Sequence, residues 1–186
     1  TNDRMNEYSW STFSHETEVV PRLEQYTNFV MYTLHPLIQK KWSCAADVGI
    51  LGGSLGGSSA FWMAWHYPDF FSRVASFSGS FWMADSSIEE IGFSNSAQPK
   101  LRIYLDAGDT DGEGVRRMSA DNLDFVDALH TQLCSLGLSS ASPTGVDLSL
   151  EKLMAWEQER MIPRNDLCMI VGIGHQHREE DWAKRI

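Results

Sequence analysis

Ser54 stands in Gly52-Gly53-Ser54-Leu55-Gly56-Gly57, directly after the apolar run Val48-Gly49-Ile50-Leu51. A Gly-x-Ser-x-Gly turn between a strand and a helix is the setting a nucleophilic serine needs. The backbone there is strained, and the neighbours two residues away need almost no side chain. Gly52 and Gly56 are expected to supply that freedom. A helix read over Ser58 to Tyr67 would aim its N-terminus at the serine, making the Leu55 N–H one half of an oxyanion hole. A serine hydroxyl alone is a weak nucleophile. It needs an imidazole to take its proton and a carboxylate to hold that imidazole.

Both partners occur further along the chain. Asp106, Asp109 and Asp111 close an apolar run, Leu101-Arg102-Ile103-Tyr104-Leu105, and the turn that follows it. Asp106 reads as a structural strand end, Asp111 as the acid and Asp109 as its alternative. His175 and His177 follow a last apolar run, Leu167 to Ile173. Spacing alone does not choose between them. His15, His35, His66 and His130 fall in loop or helix readings and are assigned to packing or surface. The chain order Ser, Asp, His is the one α/β-hydrolases use. The acidic turn lacks the ligand spacing and closing glutamate of a helix-loop-helix calcium site.

Other glycine chemistry fails on spacing. A phosphate-cradling loop ends in Gly-Lys-Ser/Thr, and no lysine lies between Lys41 and Lys100. Neither Gly49 nor Gly52 opens a dinucleotide-binding register. No cofactor is expected.

The elements that must position these residues follow from pattern. Val19, Leu23, Tyr26, Val30, Leu34, Leu37 and Ile38 repeat at three and four, which predicts an amphipathic helix over Glu18 to Trp42, bent at Pro36. Strands are expected at 46–52, 73–78, 100–106 and 167–173. A helix from about Ser119 to Leu136 carries Leu123, Val126, Leu129 and Leu133 on one face. Residues 1–16 show no period and read as loop. Nearly all-apolar strands alternating with helices predict an α/β fold, a mostly parallel sheet with helices on both faces. Residues 139–164 read as an insertion.

The length of 186 residues and 42% hydrophobic content suit one domain with a real core. A net charge of −10 argues against nucleic acid or an anionic membrane as partner. Cys44, Cys134 and Cys168 show no disulfide or zinc spacing and read as buried thiols. No apolar run reaches the roughly 20 residues of a membrane span. Compartment and oligomeric state stay open.

Four stretches together resemble the α/β-hydrolase branch of esterase D-like, enterochelin-esterase-like and feruloyl-esterase-like enzymes. They are Gly52 to Gly57; Tyr67-Pro68-Asp69-Phe70-Phe71 with Ser78-Gly79-Ser80-Phe81-Trp82; Tyr104 to Asp109; and Gly174 to Arg185. The resemblance implies a serine carboxylic-ester hydrolase working through an acyl-enzyme on a small-molecule or carbohydrate-linked ester. Ser54 would attack, His177 would act as base and acid, and Asp111 would orient it. The register Gly174, His177, Glu179, Trp182, Arg185 favours His177, with His175 as the alternative. Trp82 would line the substrate pocket, with Phe81 beside it. The resemblance also implies that the family's first four strands, and the loop giving the second oxyanion N–H, would precede Thr1. The chain is therefore expected to be part of one catalytic domain. Acyl transfer to an alcohol would use the same residues. A non-catalytic module on the same fold is the remaining alternative.

Overall fold

The computed structural model describes residues 3–12, 19–81, 101–108, 130–131, 133–135, 139–140 and 166–172, with backbone alone at 106–108, 139–140 and 166–172. The long N-terminal helix begins at Leu23, not Glu18, because Pro21 biases Val20 away from helical backbone. An earlier single turn, α1 (Arg4–Glu7), forms where the sequence reads as loop. It is tied to the start of α2 (Leu23–Phe29) by Arg22 N–H to the Asn6 carbonyl at 2.8 Å and an Arg22–Asp3 ion pair at 2.8 Å.

Past α2 the helix does not simply bend. Val30–Leu34 is a π-turn, in which the His35 N–H donates to the Val30 carbonyl five residues back. Helix α3 (His35–Lys41) follows directly, with Pro36 in its first turn; proline has no N–H to give to the preceding turn, and the widened turn falls at the place of that loss. The π-turn inserts one residue, and each residue turns a helix by about 100°. The expected apolar stripe is displaced accordingly. Leu23 and Met31 are buried, whereas Leu37 is 61% exposed.

Among the described residues, five parallel strands form one sheet in the order β1-β2-β3-β5-β4. They are β1 (Val48–Gly53), β2 (Phe71–Phe77), β3 (Arg102–Gly108), β4 (Ser139–Ser140) and β5 (Asp166–Gly172). The two-residue β4 was not expected and takes in the first residues of the 139–164 stretch. Parallel pairing needs a crossover, and between β1 and β2 that is α4 (Leu55–His66). Apolar almost all round, α4 is buried against both strands, as such a helix must be. Phe61, Ala64, Phe71, Leu101, Ile103 and Leu105 form the centre of the core. Phe61 stacks on Trp65 and meets Phe81 edge-on at 5.6 Å. Truncating such an aromatic costs about 3–5 kcal/mol.

Among the described residues, β1 packs against the core through one face. Val48 and Ile50 pack against the core, while Leu51 is 72% exposed. Cys44, expected to be buried, is exposed in the loop before β1, and Cys134 is half-buried.

Candidate active site

The carboxyl ends of β1, β2, β3 and β5 lie along one edge of the sheet. Gly53 at the end of β1 is level with Phe77 at the end of β2, and Phe77 is level with Asp106 in β3. β3 and β5 run in register to Gly108 and Gly172. In an open parallel sheet this carboxyl edge is where reactive groups gather.

Ser54 sits in the one-residue turn between β1 and α4, with φ 56° and ψ −130°. Positive φ in a non-glycine residue costs about 1–3 kcal/mol and persists only where the surroundings impose it. Here they do. The Ser54 N–H donates to the Phe77 carbonyl at 2.9 Å, and its own carbonyl accepts from Gly57 at 2.9 Å and Ser80 at 3.0 Å. A serine preceding a helix usually spends its hydroxyl on the helix's first N–H groups. Ser54 makes no such bond. Its Oγ instead lies 3.1 Å from the Ser80 Oγ, at a half-buried position. The Leu55 N–H opens α4, so it has no partner within the helix, and the positive end of the helix dipole lies beside Ser54.

The glycine requirement is distributed differently from the sequence reading. A Cβ on Gly52 would strike the Gly56 backbone, so Gly52 must be bare. A Cβ on Gly56 would meet nothing within 4 Å, while one on Gly57 would come 2.8 Å from the Ser76 Oγ and 2.9 Å from the Gly52 carbonyl. Gly57, not Gly56, is the second position where only glycine fits. The cause is close packing of the helix start on the ends of β1 and β2.

Residues 2–133 match the family described as "Putative esterase". The chain belongs to this esterase family. A relative, the uncharacterized protein YbbA of Bacillus subtilis (strain 168), is 27% identical over 120 residues, 63% of this chain and 46% of YbbA. The chain thus spans about half the length of that relative. Among solved structures, the siderophore hydrolase EstA from Aspergillus nidulans superposes with a TM-score of 0.69 at 14% identity, over 99% of this chain and 63% of EstA. An IroE-like serine hydrolase from Shewanella oneidensis gives 0.66 at 12% identity, over 98% of this chain and 54% of the other. The chain therefore carries the α/β-hydrolase-type fold of these two hydrolase structures, over part of their length.

Of the predicted site residues, Ser54 and Leu55 are placed as described. Asp109, Asp111, His175, His177 and Trp82 lie outside the described residues. Phe81, read as a pocket companion of Trp82, is 3% exposed and belongs to the core. The contact of Ser80 with Ser54 is not among the sequence expectations, although Ser78-Gly79-Ser80 is a run of small residues just past the carboxyl end of β2, a signal for close approach of backbone. Among the described residues a surface groove of about 370 Å³, lined by Glu7, Arg22, Gln25, Tyr26 and Phe29, includes none of the elbow residues. Among the described residues, no helix is long and apolar enough to cross a membrane, and no group of three or more His, Cys, Asp or Glu could hold a metal ion.

Proposed function

We propose that the chain forms the nucleophile-bearing part of a serine carboxylic-ester hydrolase. The observation that carries this reading is Ser54 itself: a strained serine at a strand–helix turn whose hydroxyl does not cap the helix it precedes. Ser54 Oγ attacks the ester carbonyl as His177 takes its proton. Asp111 holds that imidazole in the right tautomer. The Leu55 N–H stabilises the tetrahedral oxyanion, a donor of a kind worth about 3 kcal/mol. His177 then returns the proton to the leaving alcohol, and water, activated by the same imidazole, releases the acid from the acyl-enzyme.

Asp111 follows the end of β3 by three residues and His177 follows the end of β5 by five. Both strand ends lie along the edge that carries Ser54, which supports their assignment; Asp109 and His175, which follow the same two strands in the sequence, stand as alternatives. Membership of the esterase family supports ester hydrolysis, and the name of EstA favours small-molecule esters of the siderophore kind. Labelling with a fluorophosphonate probe, followed by peptide mapping, tests the proposal. Label is expected on Ser54 and is lost on heat denaturation. Ester hydrolysis retained by a folded Ser54→Ala variant would overturn it.

A further inference from the structure

Three bonds tie Ser54 to the end of β2, and one of them is not explained by the elbow alone. Phe77 accepts the Ser54 N–H, and the Ser80 N–H holds the Ser54 carbonyl. These two fix the backbone. The third runs between the hydroxyls, Ser54 Oγ to Ser80 Oγ at 3.1 Å. Ser80 is brought there at a cost. Ser78 adopts φ 44°, and a Cβ on Gly79 would collide with Ser76 and the Phe81 ring. Ser80 itself is 3% exposed. A buried hydroxyl held this way is not a chance surface contact.

We infer that Ser80 is a positioning residue for the nucleophile, its O–H donating to one lone pair of Ser54 Oγ. This rests on the reading of Ser54 as the nucleophile. The chemistry follows from the donor direction. With Ser80 donating, the Ser54 proton is directed away from Ser80 and is available to the base. The second Oγ lone pair is left to form the bond to the ester carbonyl carbon. When the acyl-enzyme breaks down, the same bond cleaves, Oγ leaves with the electron pair and recovers a proton from the base. A donor already in place stabilises the charge developing on Oγ in both halves. A hydroxyl left without this partner samples other rotamers, so fewer encounters are productive.

Ser80→Ala tests this in the full-length enzyme, because alanine keeps the N–H bond to the Ser54 carbonyl and removes only the hydroxyl link. The rate of fluorophosphonate labelling of Ser54 and kcat for a p-nitrophenyl ester are expected to fall together by about 10- to 100-fold, with KM unchanged. Ser80→Thr retains the hydroxyl and is expected to recover most of the rate. Ser80→Cys keeps the volume but donates weakly, and is expected to be as slow as alanine; it decides the matter if alanine impairs folding. Labelling by Ser80→Ala or Ser80→Cys within threefold of wild type, while Ser54→Ala abolishes it, overturns the role of Ser80 and leaves the nucleophile assignment standing. Full hydrolysis by folded Ser54→Ala removes both.

Discussion

A Cβ on Gly57 would lie 2.8 Å from the Ser76 Oγ, with the Gly52 carbonyl at 2.9 Å and the Gly79 Cα at 3.1 Å also in the way. The Ser76 hydroxyl is buried without a hydrogen-bond partner among the described residues, so it acts here as a small filler between two glycine turns. Backbone on two sides cannot yield as a flexible side chain would. Gly57→Ala is therefore expected to cost about 1–3 kcal/mol in denaturant unfolding. Gly56→Ala meets open space within a helix and is expected to be neutral or stabilising by up to about 1 kcal/mol. If Gly56→Ala proves the worse of the two, the packing account of the elbow is wrong.

Strain at Ser54 can be isolated by comparing two variants that lack the hydroxyl. Ser54→Ala removes the hydroxyl but keeps a Cβ at φ 56°. Ser54→Gly removes both. Relief of about 1–3 kcal/mol of strain exceeds the about 0.5–1 kcal/mol that glycine costs through chain entropy. Ser54→Gly is expected to be more stable than Ser54→Ala by about 1 kcal/mol, the reverse of their usual order. Urea unfolding of the pair measures the difference directly.

The acid and base assignments make a paired prediction. His177→Ala and Asp111→Asn are each expected to lower kcat by at least about 10³-fold, the scale seen when triad members are removed. His175→Ala and Asp109→Asn are expected to stay within about tenfold of the parent enzyme. Steady-state hydrolysis of a p-nitrophenyl ester by the four variants decides the assignment. Reversal within either pair would move the role to the neighbouring residue without touching Ser54.

Much of this was legible because the strongest signals were local. Gly-x-Ser-x-Gly after an apolar run fixes a strand, a turn and a helix within a dozen residues, and the strained serine emerged where expected. What the periodicity could not reveal was non-local or cumulative. Leu34 and Leu37 fit an apolar stripe with Leu23 only if the helix keeps 3.6 residues per turn, and the π-turn ahead of Pro36 breaks that count. Leu51 belongs to an apolar strand, but its exposure depends on what packs against that face of β1. Ser80 lies 26 residues from Ser54, and the run of small residues Ser78-Gly79-Ser80 hints at close approach without naming the partner, which the pairing of two strands decides.

His66 offers a pH-dependent test that is independent of catalysis. Its ring stacks on Trp62 with centroids 4.0 Å apart, and Nδ1–H donates to the Trp62 carbonyl at 2.9 Å. Partial desolvation by this packing lowers its pKa below the ordinary histidine value, outweighing the opposing effects of the Trp62 carbonyl and of Glu24. Below about pH 6.5 the unfolded chain gains a proton that the folded chain resists. Stability tied to His66 is therefore intact above about pH 6.5 and declines as pH falls from there through the folded pKa. Because His66 is a surface residue, solvent screening is expected to keep the effect small. His66→Gln should flatten this part of the stability profile between about pH 5 and 7 while leaving ester hydrolysis at pH 8 unchanged. Thermal unfolding across that range, variant against parent, provides the measurement. An identical slope in both would place the titration elsewhere.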